Sequence, residues 1–191
     1  MKLLLYTHSD YSWVWKYWHQ QTDKYLSDIK KICLVNSNSE FRDDYNIFRY
    51  DDRMNYKNRV ISCLKKIDEE EVVIFLHEDM FLFDFPKFDV LNEYKDLIVQ
   101  EKCHSIKLIR AFENLEQSKL HKNLLINPSY QLFSIQPTLI KVKTLKNIFL
   151  NVPGDNIWVF ESNTSNKYLK NFISLCSFNK NFDKKRGKYH Y

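Results

Sequence analysis

The apolar run at residues 72–76 constrains the fold of this chain more than any other stretch. The run begins with β-branched residues and contains no polar position. A strand with this pattern is buried on both faces, which is typical of a parallel sheet with helices packed on either side. Residues 72–76 are therefore predicted to form a central strand of an α/β fold.

Strand and helix patterns alternate through the first half of the chain. Short apolar strands are expected at residues 2–7, 32–35 and 47–50. Apolar residues at helical spacing predict helices over residues 12–27 and 54–68, and a third helix capped by Asp89. This alternation predicts a Rossmann-like, mostly parallel central sheet with helices on both faces, in a single domain over residues 1–178.

The second half of the sequence is less regular. Strands are predicted at residues 105–109, 132–136 and 172–176, and residues 114–128 are expected to be mostly loop. Apolar residues between positions 142 and 149 share one helical face. Pro153-Gly154 ends that helix, and Asp155 is expected to start a short helix that carries Trp158 and Glu161.

The first candidate site lies where the strand at 72–76 ends, at His77-Glu78-Asp79. Two neighbouring carboxylates at the end of a buried strand are unfavourable unless a cation or hydrogen-bond donors compensate. Oxygen ligands of this kind suit Mg²⁺ or Mn²⁺, and the nearby histidine slightly favours Mn²⁺. The alternative is an ordinary solvated strand end in which Asp79 caps a turn.

A second group of candidates follows the first and third predicted strands. Ligands of open α/β sheets bind beyond the carboxyl ends of the strands. There, Tyr11 is a candidate for substrate contact and Tyr50 for stacking on a base. Asp51 or Asp52 can accept hydrogen bonds from that base, and Arg59 can pair with a phosphate. The alternative is a helix capped by Asp52, with Arg59 in a surface ion pair.

The third group of candidates lies in the second half. Glu161 stands among aromatic residues, where burial raises the pKa of a carboxyl and suits it to act as a general base. Gln136 precedes Pro137 at an expected strand end, where its amide can reach sugar hydroxyls. Trp158, on the same short helix as Glu161, is a candidate for substrate contact. The alternatives are a water-facing Glu161 and a Gln136 that satisfies backbone groups in a turn.

Composition excludes several classes of site. Only two glycines occur, so a glycine-rich phosphate loop is excluded. The four cysteines form no CxxC pair, which argues against zinc ribbons and thioredoxin-like sites and suits a reducing, cytoplasmic compartment. No apolar run suits a signal peptide or a membrane span. Much of the net charge of +5 lies in residues 179–191, which we interpret as a solvated basic tail.

The order of these motifs resembles the small glycosyltransferases of the GT-A fold found in large DNA viruses, phages and bacterial surface-polysaccharide clusters. The resemblance covers roughly residues 1–165 and rests on residues 51–52, 56–59, 77–81, 133–137 and 157–161. It implies an acidic motif at the end of a central strand that holds Mn²⁺ or Mg²⁺ against the diphosphate of a nucleotide sugar. Here that motif is His77-Glu78-Asp79 rather than Asp-x-Asp.

The resemblance also implies roles for individual residues. Asp79 is the expected direct metal ligand, and Glu78 is the second choice or a ligand through water. The donor, with a UDP-sugar favoured, is expected to lie against Thr7, Tyr11, Asp51, Asp52, Arg59 and Glu78. His77, Gln136 and Trp158 are expected to contact substrate. An inverting enzyme needs a carboxylate base on the acceptor side, and Glu161 is the candidate.

Two other functions compete with this interpretation. A nucleotidyltransferase on a related sheet uses the same metal carboxylates, but usually with a glycine-rich phosphate loop. A non-catalytic module for anionic ligands is motivated by the net charge of +5. The basic residues are scattered or in the tail, so nucleic acid is not an expected partner. The favoured expectation is a cytoplasmic enzyme (host cytoplasm if viral) with a nucleotide-sugar donor and a glycan acceptor.

Overall fold

The computed structural model of the protein describes residues 1–37, 39–42, 44–82, 84–109 and 114–178. Within these residues the chain forms eight strands and five α-helices. The strands are β1 (Lys2–Tyr6), β2 (Lys31–Asn36), β3 (Asn46–Tyr50), β4 (Val72–His77), β5 (Ser105–Lys107), β6 (Leu124–Ile126), β7 (Thr138–Lys141) and β8 (Ser174–Ser177). The helices are α1 (Ser12–Tyr25), α2 (Tyr56–Leu64), α3 (Phe88–Val99), α4 (Val142–Asn151) and α5 (Ile157–Ser162), with a 3₁₀ turn at Ser9–Tyr11.

The strands form a single sheet in the order β3-β2-β1-β4-β7-β5-β8-β6. β1 to β4 are mutually parallel, and the chain changes side of β1 between β3 and β4. β7 runs antiparallel to both neighbours, β4 and β5. β8 is parallel to β5 and antiparallel to the edge strand β6. The described residues thus confirm an α/β fold whose sheet is parallel in the first half and mixed in the second.

Two apolar cores lie on opposite faces of the sheet, because successive side chains of a strand point to opposite sides. Leu3 and Leu5 of β1 belong to the core under α1 and α3. Leu4 and Tyr6 belong to the core under α2, α4 and α5. The leucines are fully buried, and such burial contributes about 2 kcal/mol for each side chain. The prediction of helices on both faces is confirmed.

The parallel strands bring their carboxyl ends to one border of the sheet. β7 is antiparallel, so it begins at this border: Thr138 pairs with Phe75 near the end of β4, and with Lys107 at the end of β5. Residues that follow β1–β5 therefore meet those that precede β7. We call this border, formed by residues 7–9, 36, 51–52, 77–79, 107 and 135–138, the polar edge.

The predicted strand at residues 132–136 is wrong. These residues form no strand, and β7 begins only after Pro137. The apolar side chains of Leu132 and Phe133 are buried in the core under α2, α4 and α5. Their backbone N–H groups donate to Thr164 rather than to a neighbouring strand. The stretch expected to be loop at residues 114–128 also contains the short strand β6.

The expected cap of α3 is wrong, and so is the alternative in which Asp52 caps α2. α3 starts at Phe88, and Asp89 lies inside its first turn without capping it. α2 is capped by Asn55, whose side chain accepts a hydrogen bond from Asn58 N at 3.0 Å, and not by Asp52. A side-chain oxygen one residue before the first helical turn satisfies an otherwise unpaired N–H, which is why asparagine is favoured there.

α5 begins one residue later than expected, with Asn156 rather than Asp155 at its N-cap. The Asn156 side chain accepts a hydrogen bond from Val159 N at 3.0 Å. Gly154 before it has a φ of 142°, and a Cβ there would lie 2.5 Å from Phe160 N. Only glycine combines this backbone angle with so close an approach, so Gly154 lets α5 pack directly against the turn that precedes it.

The predicted basic tail at residues 179–191 lies outside the described residues. None of the helices in the described ranges is both long and apolar enough to cross a bilayer. A small cavity lies between the sheet and the helices α1 and α3, with Leu3, Trp18, Leu26, Ile74, Leu91 and Leu108 among its lining residues. It reaches Met80 and Pro137 next to the polar edge, but its lining is apolar and contains no charged side chain, so we do not treat it as the site.

Candidate functional site

Side chains from the ends of three parallel strands are joined by hydrogen bonds at the polar edge. Asn36, the last residue of β2, donates through Nδ2 to Ser9 Oγ at 2.8 Å and to Asp52 Oδ2 at 3.1 Å. Its Oδ1 accepts from Ser9 N at 2.9 Å. His8 Nε2 lies 3.0 Å from Asp52 Oδ1. Asp52 is thus held by the loop after β1 and by the end of β2, with its side chain still 40% exposed.

His8 is oriented by its own loop. Its Nδ1 accepts a hydrogen bond from Asp10 N at 3.1 Å. With Nδ1 as an acceptor, Nε2 is the ring nitrogen that donates to Asp52. His8 and Asn36 were not among the predicted site residues.

Asp51 is used differently from its neighbour Asp52. Its carboxylate pairs with Arg53, whose Nε lies 3.0 Å from both oxygens. The hydrogen bonds from Arg53 lower the pKa of Asp51 to about 2. The ion pair lies on the surface, because the Arg53 side chain is 90% exposed. The structure therefore joins Asp52 to the cluster at the polar edge, and leaves Asp51 outside it.

Arg59 lies beneath the loop after β3. Its Nε donates to Met54 O at 2.8 Å, and it also donates to Asp52 O. Its guanidinium lies 5.4 Å from the centre of the Tyr50 ring. Arg59 thus fixes the backbone of the loop that carries Asp52, and it is not in a surface ion pair among the described residues.

The expectation that Tyr50 stacks on a base is not supported, because Tyr50 is buried. Its ring stacks on Tyr6 with the centres 5.3 Å apart, and its hydroxyl donates to Thr7 O at 2.7 Å. Burial and the neighbouring Tyr6 raise the pKa of Tyr50. Tyr50 therefore packs beneath the residues of the polar edge and does not line their exposed side.

Glu78 points into the protein rather than towards solvent. Its carboxyl accepts a hydrogen bond from the Thr7 hydroxyl, and Thr7 Oγ1 accepts in turn from Trp15 Nε1 at 2.8 Å. Burial raises the pKa of Glu78 to about 7. Thr7 is fully buried, so this predicted donor contact also lies beneath the surface of the site.

Asp79 is the exposed carboxylate of the predicted acidic motif. It lies in the turn after β4, where Met80 N donates to His77 O at 3.3 Å. Within the described ranges no hydrogen bond or ion pair engages its side chain, and no group of three metal-ligating side chains is found. One free carboxylate fits Mg²⁺ or Mn²⁺ ions that keep several waters and bind the phosphates of a substrate.

His77 is a half-buried neutral imidazole at the end of β4. Its Nε2 shares a hydrogen bond of 3.1 Å with the hydroxyl of Tyr56, and its ring lies 5.0 Å from that of Tyr6. Burial lowers the pKa of His77 to about 3. It can therefore offer a hydrogen bond to a ligand at neutral pH, but not a charge.

Glu161 and Gln136 reach the other half of the polar edge. Glu161, on α5, accepts a hydrogen bond from Ile135 N. Burial raises the pKa of Glu161, while Ile135 N–H and the charge of Lys107 oppose that rise. Gln136 lies in the loop before β7, where its Oε1 accepts from Ser134 Oγ at 3.2 Å. Its place is a loop rather than the expected strand end.

The aromatic candidates Tyr11 and Trp158 are both on the surface. Tyr11 closes the 3₁₀ turn after β1 and is 51% exposed, and Trp158 in the first turn of α5 is 77% exposed. They are available to a ligand. The backbone N–H of Tyr11 donates to His8 O at 2.9 Å, but among the described residues no side-chain hydrogen bond joins Tyr11 or Trp158 to Asp52 or Asp79.

Lys107, the last residue of β5, was also not among the predicted site residues. It is fully buried at the polar edge, and its charge acts on Glu161. A lysine in a three-residue strand carries no periodic signal, so only the fold reveals it. For Asn36, the signal was present, because an asparagine directly follows an apolar strand.

No family model matches the sequence, and no curated protein matches it at a significant level. The function of the chain is therefore argued from the geometry of the polar edge.

Proposed function

We propose that the chain is a GT-A-like glycosyltransferase, which moves a sugar from a nucleotide-sugar donor to a hydroxyl of a glycan acceptor. One observation carries the proposal: an exposed carboxylate, Asp79, follows the central strand β4 at the border of the sheet that also carries the hydrogen-bonded cluster after β1, β2 and β3. The chain changes side in the sheet between β1 and β4, and open α/β sheets bind ligands beyond the strand ends at such points.

The cluster of Ser9, His8, Asn36 and Asp52 supports a nucleoside subsite. Asp52 keeps an exposed carboxylate that its neighbours hold in place. An acceptor fixed in this way suits the hydroxyls of a ribose or the N–H groups of a base, since it loses little freedom on binding. A UDP-sugar is the favoured donor, with Tyr11 exposed nearby on the same loop.

Asp79 would hold the divalent ion, with the donor diphosphate and water as its other ligands. When bound, Mn²⁺ or Mg²⁺ would neutralise negative charge on the departing diphosphate. Glu78 is a poor direct ligand because it is buried and bonded to Thr7. Its place behind Asp79 instead favours the water-mediated or supporting role.

Glu161 is the proposed base for an inverting reaction. The acceptor oxygen forms a bond to the anomeric carbon, the bond from that carbon to the diphosphate breaks, and the acceptor proton passes to Glu161. A base with a raised pKa is suited to take up a proton near neutral pH. Gln136 before β7 and the exposed Trp158 on α5 would contact the acceptor sugar, and His77 would contact the donor.

The proposal is tested by melting the protein with UDP- and GDP-sugars, with and without Mn²⁺. A donor at 100 times its Kd stabilises the folded state by about 2.7 kcal/mol. We expect one donor class to raise Tm in the presence of Mn²⁺, and Asp79→Ala to remove that increase. Asp96→Ala, which alters an exposed carboxylate on α3, is the matched control and should leave the increase intact.

A second assay separates the competing functions. Slow hydrolysis of the donor in the presence of Mn²⁺ supports a glycosyltransferase. Release of pyrophosphate from a nucleoside triphosphate and a sugar phosphate would instead support a nucleotidyltransferase. Stabilisation by any polyanion without turnover of a donor would support a binding module, and the absence of stabilisation by every nucleotide would contradict the proposal.

A further inference from the structure

A lysine is fully buried at the polar edge. Lys107 ends β5, with Thr138 of β7 and Cys176 of β8 as its neighbours in the sheet. Its relative exposure is 0%. Lysine is almost never fully buried without a charged partner, because removing an ammonium group from water is costly. The position therefore calls for a physical explanation.

The side chain of Lys107 points to the face of the sheet that carries α5. Ile106 packs in the core under α1 and α3, and neighbouring residues of a strand point to opposite faces. Lys107 therefore faces α2, α4 and α5. Glu161 lies on α5 on that same face, where its carboxylate is held by the N–H of Ile135.

The charges of Lys107 and Glu161 act on each other. Lys107 lowers the pKa of Glu161 against the effect of burial. Burial lowers the pKa of Lys107 to about 8, and the charges of Cys176 and Glu161 oppose this fall. Lys107 is thus still mostly protonated at pH 7. From α2, the buried Tyr56 faces the same region: its pKa is raised by burial and, to a smaller extent, by the charge of Glu161, so it is a neutral neighbour of that carboxyl.

We propose that Lys107 is a positioning residue, whose buried ammonium group keeps the Glu161 carboxyl ionised at the place where an acceptor hydroxyl must lose its proton. This inference rests on the proposed role of Glu161 as the base. Without Lys107, burial alone would keep Glu161 protonated over a wider pH range. A protonated carboxyl cannot accept a proton, so the acid side of the pH–rate profile would move upwards.

The test is a carbon-13 NMR titration of the Glu161 carboxyl in the wild-type chain and in Lys107→Met. Methionine fills most of the volume of lysine without its charge. We expect the pKa of Glu161 to rise in Lys107→Met, and the acid limb of the kcat/KM profile to move by the same amount. Lys143→Met, at an exposed position on α4, is the matched control and should change neither.

A reciprocal variant decides the question if Lys107→Met does not fold. Glu161→Gln keeps the acceptor oxygen for Ile135 N and removes the charge. We expect the pKa of Lys107 to fall in this variant, because a nearby negative charge has been removed. An unchanged Lys107 titration there, or an unchanged Glu161 titration in folded Lys107→Met, would overturn the inference.

The titrations also separate this inference from the proposed function. Coupled titrations in a protein that transfers no sugar would support the electrostatic link and count against the glycosyltransferase. Sugar transfer with uncoupled titrations would support the enzyme and overturn the role of Lys107.

Discussion

The two halves of the polar edge are built in different ways. In the first half, side chains from the loops after β1 and β3 and from the end of β2 bind each other, and Asp52 is fixed by contacts to His8 and Asn36. In the second half, Glu161 accepts a hydrogen bond from a backbone N–H of the loop before β7, and the charge of the buried Lys107 lowers its pKa against the effect of burial. The first half therefore fixes its polar side chains through shared hydrogen bonds. In the second half, a buried positive charge acts on the single carboxyl of Glu161.

This difference matches the tasks that we propose for the two halves. Binding a nucleoside requires hydrogen-bonding groups with fixed directions, and interlocked side chains supply them. Removing a proton requires an ionised carboxylate; burial raises the pKa of Glu161, and the charge of Lys107 opposes that rise. Variants in each half should therefore affect binding and turnover separately.

The largest expected effect comes from Glu161→Gln in the second half. Loss of a general base lowers kcat by about 10²–10⁴-fold. Glutamine can still accept from Ile135 N, so the fold and the donor site should be kept. Steady-state transfer assays measure the fall in kcat, and the increase in Tm with donor and Mn²⁺ should be unchanged. An equal loss of donor binding would show that the two halves are not separate.

A smaller effect is expected from Glu78→Gln beneath the first half. The folded-state pKa of Glu78 is raised from 4.5 to about 7, so its contribution to stability is full below pH 4.5 and is lost as pH rises through about 7. Above pH 7 the wild-type chain buries a charged carboxylate, which costs at most about 3 kcal/mol for a shift of this size. Glutamine removes that cost and can still accept from Thr7.

Urea unfolding at several pH values measures this effect. We expect Glu78→Gln to be more stable than the wild-type chain at pH 8, and the difference to disappear at pH 4. Glu116→Gln, at an exposed position, is the control and should show no such trend. Equal stability of the two chains at pH 8 would mean that Glu78 is charged in the folded state at little cost.

The smallest effect is expected from Asn36→Ala, which removes the link between the loop after β1 and Asp52. The hydrogen bonds lost contribute about 1 kcal/mol each, and part of that loss should appear as weaker donor binding. We expect the Kd of the donor to rise by about tenfold, with kcat at saturating donor unchanged. Titration calorimetry measures Kd. Asn46→Ala, at the opposite end of β3, should leave it unchanged.

Much of the fold could be predicted because its signals are local. The apolar strand β4 and the alternating pattern before it gave the three layers and the parallel block. The strand predicted at residues 132–136 was wrong, because buried apolar residues give the same sequence pattern in a strand and in a packed loop. The sequence also could not identify the N-cap of α2, since both Asp52 and Asn55 are residue types that cap helices well.

The positions of the candidate residues in the fold could be predicted, but not their individual contacts. Polar residues after apolar strands correctly indicated the border of the sheet where Asp52, His77 and Asp79 lie. The sequence could not distinguish Asp51 from Asp52, since a salt bridge to Arg53 occupies one and not the other. It also could not tell that Glu78 is buried while Asp79 is exposed, because adjacent residues in a turn can point in opposite directions.

By itself the sequence determined the alternation of strands and helices, and with it the carboxyl ends at which polar side chains collect, because both follow from short-range periodicity. Only the tertiary structure decided which carboxylates are free and which are held, and that Lys107 shares a face with Glu161. Those properties depend on burial and on distances between residues far apart in the chain, and no local pattern encodes them.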